Sequence, residues 1–260
     1  MGYDYYKEFS LFYDEFRGRN LQLLFEIPLQ FFGFACNKEA GPFLDLGCGT
    51  GDLAIYFAEK GFEVTGVDLS LGMLEAARAK VDQKKLKNIR LLQQDIVELD
   101  LEPGFAYIHA RETFMHFNAE QLEKVFKKCW RALKPEGIFL FEIMTPFGLK
   151  KFCNGVSNRT SNNCKYTING IFNDIDNSAI LNYEFLFTDG RQSIFSLKCS
   201  GHDLLQICPL LAGTGFKKIC AFDLDNSLTF ENGVLKVGLP SIVSDNTSSM
   251  MVCVKKELQA

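Results

Sequence analysis

The sequence predicts an α/β protein built on a doubly wound sheet, and three observations predict it. Pro42 to Asp52 run as a short apolar strand ending in Asp45, followed by glycines at alternate positions, Gly47, Gly49 and Gly51. A second strand, Glu63 to Val67, also ends in an acid, Asp68. Between residues 41 and 142 strand-like and helix-like stretches alternate, with strands expected at 43–46, 63–68, 89–94, 105–110 and 137–142. Consecutive β-α-β units force right-handed crossovers, which give a parallel sheet with helices on both faces. Ligands of such sheets collect at the carboxyl ends of the strands. Asp45, Asp68, Asp95 and the residues after Ala110 all fall there.

Residues 1–40 form an aromatic lead-in, expected to be a helical lid segment. Tyr3, Tyr5, Tyr6, Phe9, Phe12, Tyr13 and Phe16 include pairs at the three- and four-residue spacing of one helix face. That stripe either packs on the edge of the core or covers the ligand, and Tyr13 is the candidate to reach an active centre. Residues 41–260 then read as one domain. The three glycines let the chain turn sharply out of the first strand and admit a ligand against bare backbone. Leu53 to Lys60 are helix formers that stop at Gly61. A dinucleotide fold prefers G-x-G-x-x-G, whose third glycine lets the helix approach a pyrophosphate. Here Asp52 takes that place, and Asp45 adds a second carboxylate, so the loop suits a cationic ligand better than a diphosphate.

The β-α rhythm breaks between residues 143 and 200. Tyr166–Ile168, Ala179–Phe187 and Ser193–Leu197 are strand-like, with turn signals at 173–177 and 189–190, which predicts a three-stranded antiparallel insert after strand five. The insert either covers the cleft or extends the sheet as a dimer surface. Asp203 to Ala212 should be helical despite Pro209, and Phe216–Phe222 and Met250–Lys255 read as the last two strands, joined by a loop around Pro240.

Composition narrows the function. With 260 residues and 47% hydrophobic content the chain can bury a full core. A net charge of -4 argues against nucleic acid as a partner, because phosphate binding relies on clustered Lys and Arg. No apolar run approaches the roughly 20 residues that span a bilayer, and no signal-peptide pattern opens the chain. Nine cysteines without a C-x-x-C pair fit reduced thiols and a cytoplasmic setting, and no metal site is expected. Cys48 is read as a small packing residue of the loop.

Leu44-Asp45-Leu46-Gly47-Cys48-Gly49-Thr50-Gly51 resembles the first motif of class I S-adenosylmethionine-dependent methyltransferases. Val67-Asp68-Leu69-Ser70 with Met73 to Arg78 resembles the family's ribose-binding segment, and Gln93-Gln94-Asp95-Ile96 the adenine-binding one. Leu133-Lys134-Pro135-Glu136-Gly137 resembles the turn into strand five, with Glu136 where glycine is commoner. The resemblance is close over residues 40–145. It implies a seven-stranded mixed sheet whose last strand is antiparallel and lies beside the sixth. It also implies S-adenosylmethionine as cofactor and S-adenosylhomocysteine as product. Gly47, Cys48, Gly49 and Gly51 would lie along the methionine and ribose, with Asp45 acting through water or orienting the loop. Asp68, with Leu69 beside it, would accept the ribose hydroxyls. Asp95 would accept from the adenine amino group, and the Ile96 N–H would donate to the ring. Met73 packs on the adenine or belongs to the core.

The sulfonium methyl is already activated, so the protein has to align donor and acceptor, exclude water, and supply a base only where the acceptor is protonated. The segment after strand four, Ala110 to Phe117, is where that base would sit. His116 has a suitable ordinary pKa, although the same imidazole could simply pack the next helix. Glu112 is a base or an ion-pair partner, and Arg111 a partner for the methionine carboxylate or a substrate anion. His109, inside strand four, is read as core. The sequence has Ala110-Arg111-Glu112-Thr113 where base-amino methyltransferases carry Asn/Asp-Pro-Pro-Tyr/Phe, and it lacks a Pro-Cys pair. A small-molecule acceptor is therefore expected, for methyl transfer to N, O or C by a monomer or homodimer. The competing readings are a catalytically silent cofactor-binding regulatory subunit, an NAD-dependent oxidoreductase and an aminopropyl transferase.

Overall fold

The computed structural model describes residues 6–7, 9–11, 13–16, 37–160, 164–223, 228–231, 234–237 and 247–257. Among the described residues a 3-10 turn (Phe9–Leu11), a short helix α1 (Tyr13–Phe16) and a second 3-10 turn (Lys38–Ala40) precede the sheet. The expectations for Tyr3, Tyr5, Phe12 and the loop around Pro240 lie outside the described residues.

From Phe43 onward the alternation follows the sequence reading. β1 (Phe43–Leu46), α2 (Asp52–Glu59), β2 (Val64–Asp68), α3 (Leu71–Lys84), β3 (Ile89–Gln93) and β4 (Phe105–Ala110) come first. α4 (Ala119–Ala132) and β5 (Leu133–Met144) complete the series. Each helix has a local reason to start. Gly51, at φ 78°, precedes α2, and the Ser70 hydroxyl accepts the Met73 N–H at the head of α3. Asn118 and Gln121 form a reciprocal capping box on α4, which satisfies two backbone donors that a helix start otherwise leaves unpaired. α4 then buries Leu122, Val125, Phe126, Cys129 and Ala132, one face at helical spacing.

The central sheet runs β10-β13-β5-β4-β1-β2-β3, where β10 is Lys218–Asp223 and β13 is Ser249–Lys255. β13 is antiparallel to both β5 and β10, so the sheet is mixed and seven-stranded as the resemblance implied. Side chains alternate across it. Phe139, Phe141 and Ile143 of β5 join Phe126, Phe114 and Leu211 on one face, while Ile138 and Leu140 join Phe43, Phe57 and Tyr107 on the other. Truncating a fully buried phenylalanine such as Phe139 costs about 3–5 kcal/mol in cores of this kind. Glu136, in the turn into β5, has φ 66°, the left-handed conformation that glycine adopts without penalty. Its carboxylate pairs with Lys255 of the neighbouring strand.

The insert differs from expectation. After β5 comes helix α5 (Pro146–Cys153), then four antiparallel strands in order, β6 (Val156–Thr160), β7 (Cys164–Asn173), β8 (Ser178–Phe187) and β9 (Gln192–Ser200). The additional strand, β6, is Val-Ser-Asn-Arg-Thr and mostly exposed on both faces, so it carries none of the apolar alternation by which a strand is recognised. The inner face of this sheet buries Tyr166, Ile168, Leu181, Phe185 and Phe195 against Leu149, with Phe9, Met115 and Met144 at its margin. The insert therefore sits over the carboxyl ends of the central strands. α6 (Leu204–Thr214) is capped by Asp203 and contains Pro209, and a hairpin of β11 (Leu228–Glu231) and β12 (Val234–Val237) lies between the last two sheet strands.

α5 crosses β13's approach at Gly148, where an added Cβ would lie 1.9 Å from the Ser248 carbonyl oxygen. In an open helix Gly→Ala stabilises by about 1 kcal/mol. Here the contact reverses the sign, and Gly148→Ala should lower unfolding stability by about 1–3 kcal/mol in urea denaturation.

Candidate active site

Each of the glycine-loop residues has a steric reason. Gly47, Gly49 and Gly51 have φ of 70°, 54° and 78°. A Cβ on Gly47 would stand 2.2 Å from Thr113 Oγ1, and one on Gly51 2.9 Å from the Ala77 Cβ. Gly49 is different, since the nearest atom to its Cβ position is Tyr13 Cε1 at 3.8 Å. Tyr13 therefore approaches it only at ordinary van der Waals distance. Cys48 is buried, its Sγ packed against Gly66, and burial pushes its thiol well up from the usual range. It is the packing residue the sequence suggested.

Asp68 closes the loop from the other side. One carboxylate oxygen accepts the Gly49 N–H at 2.8 Å and the other accepts the Ser70 N–H at 2.8 Å. Asp45, buried at the end of β1, lies opposite His109 in the β1–β4 register, and its Oδ1 is 3.2 Å from His109 Nδ1. Burial lowers the proton affinity of His109, so the neutral imidazole donates to a charged carboxylate.

Asp45, Gly47, Cys48, Gly49, Arg111, Glu112 and Tyr13 line one cavity of about 470 Å³. The insert forms its roof with Tyr166, Ile168, Leu181 and Tyr183. Arg111 lies between two carboxylates, with Nε 3.1 Å from Glu142 and a terminal nitrogen 3.4 Å from Glu112. Glu112 itself has φ 50°, so the chain bends there in a conformation uncommon for side-chain-bearing residues. The ribose and adenine candidates are not part of this cavity's lining. Leu69 is 66% exposed, Asp95 is exposed and accepts the Val97 N–H, and Ile96 and Met73 are buried.

His116 is not brought to the cavity. Its Nε2 is 3.0 Å from the Tyr6 hydroxyl and its Nδ1 4.0 Å from Cys199 Sγ, behind the wall that Met115 forms. Burial lowers its pKa to about 4, so the ring is neutral near pH 7 and a weak proton acceptor. Of the two sequence readings, the packing one describes this geometry.

The N-terminal segment is tied to the loop, which the sequence pattern gave no hint of. Thr50 Oγ1 donates to Asp14 at 2.6 Å, and Lys80 bridges Asp14 at 2.8 Å and Asp52 at 2.5 Å. These partly exposed ion pairs are each worth at most about 1 kcal/mol, but together they fix where Tyr13 stands. Glu142, Arg159, Tyr166 and Tyr183 were also missed. Glu142 had a readable signal, a lone charge in the apolar run Ile138 to Ile143.

A strand-end carboxylate that braces a three-glycine loop, under an antiparallel roof, is set in a doubly wound α/β domain. Residues 43–137 match the family described as a methyltransferase domain. YqeM of Bacillus subtilis, provisionally named a methyltransferase, is 42% identical over 112 residues, which are 42% of this chain and 44% of YqeM. The malonyl-[acyl-carrier protein] O-methyltransferase of Priestia megaterium is 34% identical over 137 residues, 52% of this chain and 46% of its own. The aligned part is thus less than half the length of either relative. Among solved structures, an S-adenosylmethionine-dependent methyltransferase from Clostridium acetobutylicum superposes with a TM-score of 0.77 at 23% identity, over 97% of this chain and 99% of that one. The CcbJ methyltransferase of Streptomyces caelestis superposes at 0.76 and 16%, over 98% of each chain. At these identities the likeness is one of fold.

The His116 environment makes a pH prediction. Unfolded chain takes up the proton near pH 6.5, whereas the folded ring does so only near pH 4. Stability from this group is therefore complete above about pH 6.5 and is lost as pH falls toward 4. Wild type should lose about 3 kcal/mol more than His116→Gln between neutral pH and that endpoint, measured by urea denaturation at each pH.

Proposed function

We propose that this protein transfers a methyl group from S-adenosylmethionine to a nucleophilic N, O or C atom of a small molecule. The observation that carries the reading is that the Gly49 backbone and the Asp45 carboxylate face the same roofed cavity. The residues present fit the cofactor. Gly47, Gly49 and Gly51 offer bare backbone to the methionine and ribose, and Asp45 offers a negative charge to the methionine ammonium. Asp68, which accepts the two loop N–H groups, is a carboxylate at the strand end and suits two ribose hydroxyls. Asp95 and the Ile96 N–H address the adenine edge. Bound cofactor supplies a methyl carbon already activated by its sulfonium.

The chain's own work is positioning and exclusion of water. Tyr13 and the insert close the cavity above the loop, and Arg111 is held between Glu142 and Glu112 at the point where an acceptor would approach. Glu112, with its side chain 41% exposed, is placed to pass an acceptor proton to water and takes the base role in preference to His116. A dinucleotide is disfavoured by the carboxylates of Asp45 and Asp52, which both line the cavity.

Calorimetric titration with S-adenosylhomocysteine should give micromolar binding, and NAD none. Asp68→Ala should weaken that binding at least about ten-fold while the protein stays folded. It should also lower stability by about 1–2 kcal/mol, because the Gly49 and Ser70 N–H groups lose their acceptor. Binding of NAD, or undiminished binding in Asp68→Ala, would overturn the reading. Cofactor binding without methyl transfer to any acceptor would point to the regulatory-subunit alternative.

A further inference from the structure

Two cysteines of the central sheet stand opposite each other. In the antiparallel β10–β13 pair the register sets Cys220 against Cys253, flanked by Ile219 against Val254 and Ala221 against Val252. Residues opposed on neighbouring strands project from the same face of a sheet, with Cβ atoms about 4.5–5.5 Å apart. Their Cα atoms are about 4.5 or 5.5 Å apart, according to whether the pair exchanges hydrogen bonds, and a disulfide spans Cα separations of about 4.4–6.8 Å. Either kind of pair can be bridged with little movement of the backbone. Among the described strands no other two cysteines are register partners, since Cys164 stands against Phe187 and Cys199 against Ala179.

The two thiols differ in access. β10 is the outermost strand on its side of the sheet, and Cys220 is half-buried there. β13 lies one strand further in, paired on both sides, and Cys253 is only 3% exposed. Cys253 packs in the same apolar cluster as Met251, Ile138 and Leu140. Both side chains are free thiols in this structure. Burial pushes the Cys253 thiol up from its ordinary range, and Cys220 adds to the shift, as a second ionisable sulfur close by would. A reagent arriving from solvent meets Cys220 first, with Cys253 one strand behind it.

We propose that Cys220 and Cys253 are an oxidisable pair, joined into a cross-strand disulfide by exchange with a low-molecular-weight disulfide. The Cys220 thiolate attacks one sulfur of the reagent, forms a mixed disulfide and expels one reagent thiolate. The Cys253 sulfur, giving up its proton, then attacks the Cys220 sulfur, and the second reagent thiolate leaves. Two protein thiols are oxidised, one reagent disulfide is reduced, and the two protons end on the two reagent thiols. The bond ties β13 to the edge strand and closes a loop of about 30 residues, which removes freedom from the unfolded chain. It is independent of what the cavity at the other end of the sheet binds.

The test incubates the full-length protein in native buffer with glutathione disulfide, blocks the remaining thiols with N-ethylmaleimide and digests with trypsin. Cleavage after Lys218, Lys236 and Lys255 leaves each cysteine alone in its own peptide, 219–236 and 237–255. The two peptides should be recovered linked, at their summed mass less two hydrogens, and should separate after dithiothreitol. Oxidised protein should unfold at a urea concentration about 1 M higher than reduced protein. Cys220→Ser, at a half-buried edge position that the fold tolerates, should abolish both the link and the rise. The proposal is overturned if both peptides are recovered unlinked, whether blocked or carrying glutathione, or if either cysteine is joined to a third. It is equally overturned if oxidation does not raise the urea midpoint, or if Cys220→Ser shows the same rise.

Discussion

The two hydrogen bonds that Asp68 accepts, from Gly49 N–H and from Ser70 N–H, hold the ligand-binding end of the sheet in one shape. Three successive glycines in left-handed or near left-handed conformation gain little from their side chains and lose much entropy on ordering. Nothing in the loop sequence itself would fix them. The carboxylate does so from the end of the next strand, and it also orders the residue that caps α3. A single acid thus sets the loop, the start of a helix and the spacing between two strand ends. On the proposed reading the same acid would meet the ribose, so one group would both shape the loop and read its ligand. Its substitution has to be judged by stability and by affinity together.

Around this bracket the remaining site is assembled from pieces far apart in the chain. The loop comes from residues after β1, the Arg111–Glu112 bend from the end of β4, Glu142 from β5, and the roof from β7 and β8. The N-terminal segment contributes Phe9 and Tyr13 and is tied down by Asp14 through Thr50 and Lys80. None of these ties is strong alone, and each is exposed enough for water to compete. Their effect is geometric, since they bring an aromatic surface into place over the backbone of Gly49.

The central sheet was legible because each of its signals is local. A strand ending in an acid, a glycine stop after a helix and an amphipathic α4 can all be read within ten or so residues. The loop glycines could be identified, but not the reason for each: Gly47 is required by Thr113, and Gly51 by Ala77, contacts that only folding creates. β6 was missed because its residues are polar on both faces and it is held by backbone pairing to β7. His116 stayed open between base and packing residue, because the burial beside Tyr6 and Cys199 that lowers its pKa is encoded by no spacing. The places of the roof tyrosines were out of reach because they depend on how the insert folds back over the sheet.

One feature of the strand order bears on how the protein is made. β13 lies between β5 and β10 and pairs with both, yet among the described residues it is the last strand in sequence. Until Ser249–Lys255 has emerged, β5 exposes an open edge rich in phenylalanine, and β10 has no partner in the sheet. The ligand-binding half, β1 to β4, can pair much earlier, as its contacts lie close in sequence. During synthesis the molecule therefore passes through a stage with a nearly finished binding end and an unprotected apolar edge at the other. That edge is where mispairing and aggregation would begin, and ribosome pausing or truncation before β13 would prolong the exposure.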